Sequence, residues 1–363
     1  MQSPNSAGAA GRSTERPGAT DEFALIAGLR ARFEAVARLR APGGTVPPGG
    51  DIWIGDDAAV VTPASTGRTV LATDLLVAGV HFDESLGTLE DVGYKALMVT
   101  VSDFAAMGVR PSYALVSIAA PPGTDVDRLG AGLAEAAGET GCVIVGGDLA
   151  QSPVLVLSTA VFGVAETGGA PPMLRSGARP GDHLFVTGPL GRSAAGLRLL
   201  RAAAANDNTT STATTTTTAA STNTAASTPV DPSRPPVPDL VRAHRRPVAR
   251  LAEGEAARRS GVGAAIDLSD GLVADLRHLA EASGVGADLD TVPVAEGATR
   301  DEALSGGEDY ELLVATGSPD ALVATFRAAD LAAPLPIGRC TDRPGRLTLG
   351  GDPLPPGGWL HRF

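Results

Sequence analysis

The chain has 363 residues, 43% hydrophobic and 19% charged, a composition typical of a globular protein with a core large enough for two domains. Its 41 acidic residues outnumber its 29 basic ones, and the net charge of −12 disfavours a nucleic-acid partner, because phosphate backbones need a concentrated basic face. The cysteines, Cys142 and Cys340, are far apart and support neither a disulfide framework nor a zinc site.

The start of the chain predicts a tail followed by a helix. Residues 1–20 are rich in Ser, Gly, Ala and Pro, so a disordered tail is expected there. Helical spacing begins at Asp21, in DEFALIAGLRARFEAV. The tail lacks the apolar centre of a signal peptide, and the chain has no apolar run of the roughly 18 residues that a membrane span needs. A cytoplasmic location without membrane contact is therefore expected.

Short apolar segments alternate with amphipathic helical stretches along the rest of the chain, which predicts an α/β (α+β) protein. The segment ETGGAPP interrupts this pattern and marks the expected joint between an N-terminal domain, 21–165, and a C-terminal domain, 166–363. Within the second domain, residues from about 203 to 239 are rich in Thr, Ala and Pro and have almost no large apolar side chain. A disordered surface insertion is expected there.

Acidic residues recur inside or at the ends of the apolar segments. They are Asp56 and Asp57 in IGDDAAVV, Asp74 in LATDLLV, Asp103 in VTVSDFAAMG, Asp148 in VIVGGDLA, and Asp267 and Asp270 in AIDLSDGLVADL. Any one of them alone could cap a helix or pair with an arginine. Five such segments favour a shared site, because buried carboxylates are costly without a cation and Mg²⁺ accepts carboxylate oxygens together with substrate phosphates.

Lysine and glycine positions exclude two other ion-binding or phosphate-binding motifs. Lys95 is the only lysine, so the chain lacks the G-x-x-x-x-G-K-[ST] phosphate loop. AIDLSDGLVADL is not a calcium loop, because Leu272 stands where that loop needs glycine and His278 where it needs glutamate. The glycine pairs of VGGD and GGED permit close approach to a ligand, although such pairs also form tight turns. Lys95 and Arg192 are expected to be surface or helix-end charges.

Seven motifs, taken in order, resemble those of the thiamine-monophosphate kinases: GDDAAV, TDLLVAGVHF, KALMVTVSDFAAMG, GGD, LRSGARPGD, AIDLSDGL and ALSGGEDYEL. The resemblance extends from about Asp21 to the C-terminus and, more widely, to the aminoimidazole ribonucleotide synthetase superfamily. It implies a two-domain aminoimidazole ribonucleotide synthetase-like fold. In that fold an N-terminal mixed sheet with helices binds ATP and Mg²⁺ and forms a homodimer, and a C-terminal α/β domain follows.

The resemblance also implies in-line transfer of the γ-phosphate of ATP to thiamine monophosphate, giving thiamine diphosphate and ADP. The acceptor phosphate is largely dianionic at neutral pH, so no catalytic general base is expected. The implied ligands of several Mg²⁺ ions are Asp57, Thr73, Asp74, Asp103, Asp148, Asp267 and Asp270. The implied ATP contacts are Gly147, Asp148, Arg175 and Ser269, and the implied thiamine monophosphate contacts are His81, Glu308 and Trp359.

Two alternatives stay open. The first is another ATP-using enzyme of the same superfamily, although the chain lacks the reactive cysteine and N-terminal lysine of selenophosphate synthetase and the C-terminal cysteine of the hydrogenase maturation factor. The second is a catalytically silent module that binds nucleotide or metal.

Overall fold

The computed structural model describes residues 22–40, 53–54, 61, 67–211 and 237–359. The tail expected at residues 1–20 lies outside the described residues. In the described part of the chain, none of the helices combines the length and the apolar character needed to cross a membrane.

The N-terminal part contains a four-stranded mixed sheet packed against helices. Its elements are α1 (Glu22–Arg40), β1 (Gly67–Val77), α2 (Leu89–Met107), β2 (Pro111–Ala120), α3 (Val126–Thr140), β3 (Val143–Gln151) and β4 (Val156–Glu166). The strand order is β1-β4-β2-β3, with β2 and β3 parallel and the other neighbours antiparallel. Both the helix predicted from Asp21 and the mixed N-terminal sheet are confirmed.

The C-terminal part contains a seven-stranded mixed sheet. Its elements are β5 (His183–Val186), α4 (Arg192–Ser211), α5 (Val237–Arg245), α6 (Leu251–Arg259), β6 (Ala264–Asp267), α7 (Leu272–Ser283), β7 (Gly286–Leu289), α8 (Arg300–Ser305), β8 (Leu312–Thr316), α9 (Pro319–Ala328), β9 (Leu335–Thr341), β10 (Leu347–Leu349) and β11 (Asp352–Pro353). The strand order is β11-β10-β7-β9-β5-β8-β6. Strands β7 and β10 are parallel, and the other neighbours are antiparallel.

Both ends of the segment expected to be disordered are helical. Helix α4 passes through the alanine run at 202–205, which has high helix propensity, and continues to Ser211, and α5 already begins at Val237. Residues 212–236 lie outside the described residues. The domain boundary between residues 165 and 166 stays a prediction, and β4 ends at Glu166.

Helix α2 is the central helix between the two sheets and packs against β1, β4 and β6. Thr88 and Asp91 form a capping box at its N-terminus, and Gly108, in the left-handed region at φ +64°, ends it. Nearly every residue from 92 to 106 is buried, because the helix is apolar on all sides. The polar side chains of Lys95, Thr100 and Ser102 are therefore held inside the protein.

Candidate active site

Two of the sequence motifs lie side by side at the end of β6. The backbone N–H of Glu308 donates to the carbonyl of Ser269 at 2.8 Å, and that of Tyr310 donates to the carbonyl of Leu268 at 2.9 Å. Because β6 and β8 are antiparallel neighbours, the chain leaving β6 meets the chain entering β8. The structure thus joins the LSDG turn and the GGEDYE segment into one edge of the site.

The turn from β6 into α7 is held by Asp275, which is 2% exposed. Its carboxylate accepts hydrogen bonds from the backbone N–H groups of Asp270 and Gly271, both at 3.1 Å. These N–H groups belong to the N-cap residue Gly271 and to the residue before it, so Asp275 fixes the entry of the chain into α7 from inside the helix. The pKa of Asp275 is raised to about 8, mainly by burial and to a smaller extent by the charges of Asp267 and Asp270. The sequence interpretation missed this residue, although an acid in the first turn of a helix is a recognisable signal.

We expect Asp275→Ala to lower the free energy of unfolding by about 1–3 kcal/mol for each buried N–H that loses its partner. Asp275→Asn keeps an acceptor oxygen, so its loss should be smaller. Urea denaturation of the two variants checks this expectation. Equal stability of Asp275→Ala and wild type would show that the clamp is not needed to fix the turn.

Three carboxylates from separate elements interact at this edge: Asp74 of β1, Asp103 of α2 and Asp267 at the end of β6. Burial, together with the charges of Asp267 and Asp74, raises the pKa of Asp103 to about 7. Burial is also the largest cause of the raised pKa of Asp267, whose Oδ2 accepts from the Ser102 hydroxyl at 2.7 Å. These three acids therefore interact electrostatically, but only Asp267 ends a strand, since Asp74 lies within β1 and Asp103 within α2.

The chemistry of this acidic cluster, Asp74, Asp103 and Asp267, fits a hard divalent cation. Its donor atoms are carboxylate oxygens. Burial raises the pKa of Asp103 and Asp267, and the nearby charge of Arg175 offsets only part of that rise. Across the residues that the structure describes, no three acidic, histidine or cysteine side chains are grouped closely enough to hold one ion. This arrangement fits Mg²⁺, which commonly takes one or two carboxylates and completes its coordination with substrate phosphates and water.

Two of the implied ligands that the structure describes, Thr73 and Asp148, lie elsewhere. Asp57 is outside the described residues. Thr73 directly precedes Asp74 and lies on the opposite face of β1, and its hydroxyl donates to the carbonyl of Thr159 at 2.9 Å. Asp148 is exposed on the edge strand β3, three strand spacings or about 14 Å across the sheet from β1. The structure therefore does not place these side chains within the acidic cluster, and their roles stay predictions.

Gly147 occupies a position that excludes a side chain. A Cβ there would lie 1.8 Å from the carbonyl oxygen of Val116 on the neighbouring strand. The close approach to β2 explains the glycine by itself, and a contact with ATP stays a prediction.

Glu308 lies inside a buried ion network. Its Oε1 is 2.5 Å from Nζ of Lys95, and its Oε2 is 3.3 Å from Nδ1 of His244. Burial opposes ionisation of Glu308, but the charge of Lys95 and the hydrogen bond from His244 outweigh it and lower the pKa to about 2. The expectation that Lys95 is a surface or helix-end charge is wrong, since it is 4% exposed in the middle of the buried helix α2. Arg192 does begin a helix, α4.

The backbone around Glu308 is strained. Glu308 has φ +57° and Tyr310 has φ +51°, both in the left-handed region that side chains disfavour. Such conformations cost about 1–3 kcal/mol each and concentrate at functional sites. The strain supports a functional reading of this segment.

The other predicted contacts border the same edge. Burial raises the pKa of Asp74, and the nearby charge of His81 lowers it by a smaller amount. Nδ1 of His81 accepts a hydrogen bond from the backbone N–H of Val77 at 3.1 Å. Trp359 is 52% exposed, and its backbone N–H donates to the carbonyl of Asp270 at 3.0 Å. The C-terminal segment therefore returns beside the LSDG turn.

Comparisons with known proteins identify the family of the chain. Residues 55–165 match the family model described as AIR synthase related protein, N-terminal domain, and residues 179–350 match the corresponding C-terminal domain. The thiamine-monophosphate kinase of Mycobacterium tuberculosis (strain ATCC 25618 / H37Rv) is 36% identical over 338 residues, which cover 91% of this chain and 88% of that protein.

Two solved structures share the fold over nearly their whole length. The thiamine-monophosphate kinase from Stenotrophomonas maltophilia K279a aligns with a TM-score of 0.72 and 31% identity, covering 92% of this chain and 98% of that one. The structure described as AaThiL complexed with AMPPCP and TMP aligns with a TM-score of 0.66 and 30% identity, covering 94% and 97%. The chain therefore belongs to the thiamine-monophosphate kinases, within the family of AIR synthase-related proteins.

Proposed function

We propose that the chain catalyses Mg²⁺-dependent in-line transfer of the γ-phosphate of ATP to thiamine monophosphate, giving thiamine diphosphate and ADP. The observation that carries the proposal is the meeting of Asp74, Asp103 and Asp267 beside the turn that holds Ser269 and Asp270. Membership of the thiamine-monophosphate kinases supports the choice of both substrates.

The main physical obstacle to this reaction is the repulsion between two polyanions. Bound Mg²⁺ supplies charge neutralisation and alignment of the phosphates. The residues proposed to hold the ions are Asp57, Thr73, Asp74, Asp103, Asp148, Asp267 and Asp270. No side chain needs to act as a general base, because the acceptor phosphate is already a nucleophilic dianion at neutral pH.

The remaining site residues bind and orient the two substrates. Arg175, exposed beside the acidic cluster, is proposed to bind the phosphates of ATP through its planar guanidinium fork. Gly147 and Asp148 approach the nucleotide through the backbone, and Ser269 donates a hydrogen bond to it.

The acceptor side of the site is formed by three residues. His81 and Glu308 are proposed to bind thiamine monophosphate, and the exposed ring of Trp359 is proposed to stack on one of its rings.

A product assay tests this proposal. The protein is incubated with ATP and Mg²⁺ and with either thiamine monophosphate or thiamine, and thiamine diphosphate is separated by chromatography. Product is expected from the monophosphate, with loss of the reaction on chelation of the metal. Binding of ATP without conversion of the monophosphate would support the silent module instead.

A homodimer belongs to the same proposal, because the N-terminal sheet presents an apolar outer face. Leu71 and Leu75 of β1 are 72% and 52% exposed, and Leu115 of β2 is 47% exposed. Phe162 lies opposite Leu71 in the sheet and stacks on Tyr113 with ring centroids 6.1 Å apart. A contiguous exposed apolar face of this kind marks an interaction surface, and the second copy of the chain is its proposed occupant.

We expect Leu71→Arg to convert the dimer into a monomer, because it places a charge within the apolar face. Size-exclusion chromatography with light scattering measures the mass. Val248→Arg, at an exposed valine of the C-terminal part, is the matched control and should leave the mass unchanged. A wild-type protein that is monomeric at all concentrations would contradict the proposal.

A cytoplasmic location is also proposed. Cys142 and Cys340 are both free and buried, as is usual in a reducing compartment.

A further inference from the structure

Lys95 connects the two parts of the molecule through a buried ion pair. It lies on α2 of the N-terminal part, whereas its partner Glu308 follows α8 in the C-terminal part. Burial of a lone ammonium group is costly, so its position depends on the carboxylate, and the carboxylate in turn is fixed by it.

His244 reaches the same carboxylate from α5. Its Nδ1 lies 3.3 Å from Oε2 of Glu308 and 3.0 Å from the hydroxyl of Ser193. The end of α5 is anchored on the N-terminal part, because Arg245 donates to the carbonyl of Leu86 at 2.6 Å and Arg246 pairs with Asp91 at 2.6 Å. The imidazole is therefore held at Glu308 from a second, independent direction.

The exposure of the three side chains shows which of them a ligand can reach. The Glu308 side chain is 28% exposed, whereas Lys95 is 4% and His244 is 11% exposed. The two nitrogen groups thus support the carboxylate from behind. A carboxylate accepts about four hydrogen bonds, so Glu308 retains acceptor capacity after these two contacts.

We propose that Lys95 and His244 are positioning residues that fix the carboxylate of Glu308 toward the acceptor and thereby set the affinity for thiamine monophosphate. The inference rests on the proposed function. The acceptor carries an aminopyrimidine, whose amino group is a suitable donor to the remaining lone pairs of Glu308. Glu308 has φ +57°, and both oxygens of its carboxylate are engaged by these two partners.

A double-mutant cycle of K95M, E308Q and K95M/E308Q tests the inference. Steady-state kinetics give KM for thiamine monophosphate, KM for ATP and kcat, and thermal unfolding is measured on the same samples. Each single variant should raise KM for thiamine monophosphate by roughly tenfold, more than it changes KM for ATP. Since Lys95 acts through Glu308, the double variant should be no worse than the worse single variant.

A second cycle covers the case in which K95M does not fold. H244F keeps the ring and removes the N–H donor, so it should raise KM for thiamine monophosphate in the wild type and leave it unchanged in the E308Q background. R110M is the control for loss of an ion pair between the two parts, because Arg110 binds Glu255 of α6 at 2.6 Å, away from Glu308. It should alter thermal stability without raising KM for thiamine monophosphate.

The outcomes separate this inference from the proposed function. The positioning role would be overturned if the increases in KM for thiamine monophosphate caused by K95M and E308Q, or by H244F and E308Q, multiplied in the double variant. It would also be overturned if R110M raised this KM as much as K95M does. A wild-type protein that makes no thiamine diphosphate would overturn the proposed function itself.

Discussion

Asp267→Asn is expected to lower kcat for phosphate transfer by roughly 100-fold to 1000-fold, the usual cost of removing one preorganised electrostatic group from an active site. Asp267 is 5% exposed, and it ends β6, which packs against α2. Asparagine keeps the shape and an acceptor for the Ser102 hydroxyl but removes the negative charge. Turnover at saturating ATP and thiamine monophosphate measures the effect, and circular dichroism confirms the fold.

Asp182→Asn is the matched control for this variant. Asp182 is another carboxylate that is largely buried, 8% exposed, and it accepts from the backbone N–H of Arg179 at 2.8 Å in a turn before β5. Its replacement should affect stability and leave kcat near the wild-type value. Equal losses of kcat in the two variants would mean that Asp267 acts through the fold alone.

Asp103→Asn is expected to raise the Mg²⁺ concentration needed for half-maximal activity by roughly tenfold to a hundredfold, the usual cost of altering the surroundings of a bound metal ion. Asp103 interacts with both Asp74 and Asp267, so its replacement removes one of three negative charges that attract the cation. A titration of activity against Mg²⁺ at fixed ATP gives the midpoint.

Asp288→Asn provides the control for this titration, because Asp288 lies on β7 and accepts from the Thr348 hydroxyl at 2.6 Å. Its midpoint should match that of the wild type. A lower kcat for Asp103→Asn with an unchanged Mg²⁺ midpoint would remove Asp103 from the set of metal-binding residues.

The fold and the acidic cluster were accessible from the sequence because both depend on local patterns. Alternation of apolar segments with amphipathic helices predicts an α/β protein, and the resemblance of the motifs implies the two-domain fold with its mixed N-terminal sheet. Acids inside or at the end of apolar segments become buried, which accounts for Asp74 in β1, Asp103 in α2 and Asp267 at the end of β6. The seven motifs in their order indicated the family to which the chain belongs.

The network around Glu308 was not accessible, because its members come from distant parts of the chain. Nothing local indicates that Lys95 is buried, except that its helix is apolar on all sides. His244 follows a Thr-rich segment, and its partner is fixed by how α5 packs on α2 rather than by spacing. The resemblance implied that Thr73 and Asp74 share a metal site, but the two-residue period of a strand places these neighbouring side chains on opposite faces.

Binding of Mn²⁺, followed by electron paramagnetic resonance in the presence of AMPPCP, tests most directly whether the acidic cluster holds divalent metal. Wild-type protein is predicted to bind Mn²⁺ tightly in the nucleotide complex, and Asp267→Asn is predicted to lose at least part of that tight binding. The same number of Mn²⁺ ions bound with the same affinity by both proteins would contradict the assignment of Asp267 as a metal ligand and, with it, the proposed basis of catalysis.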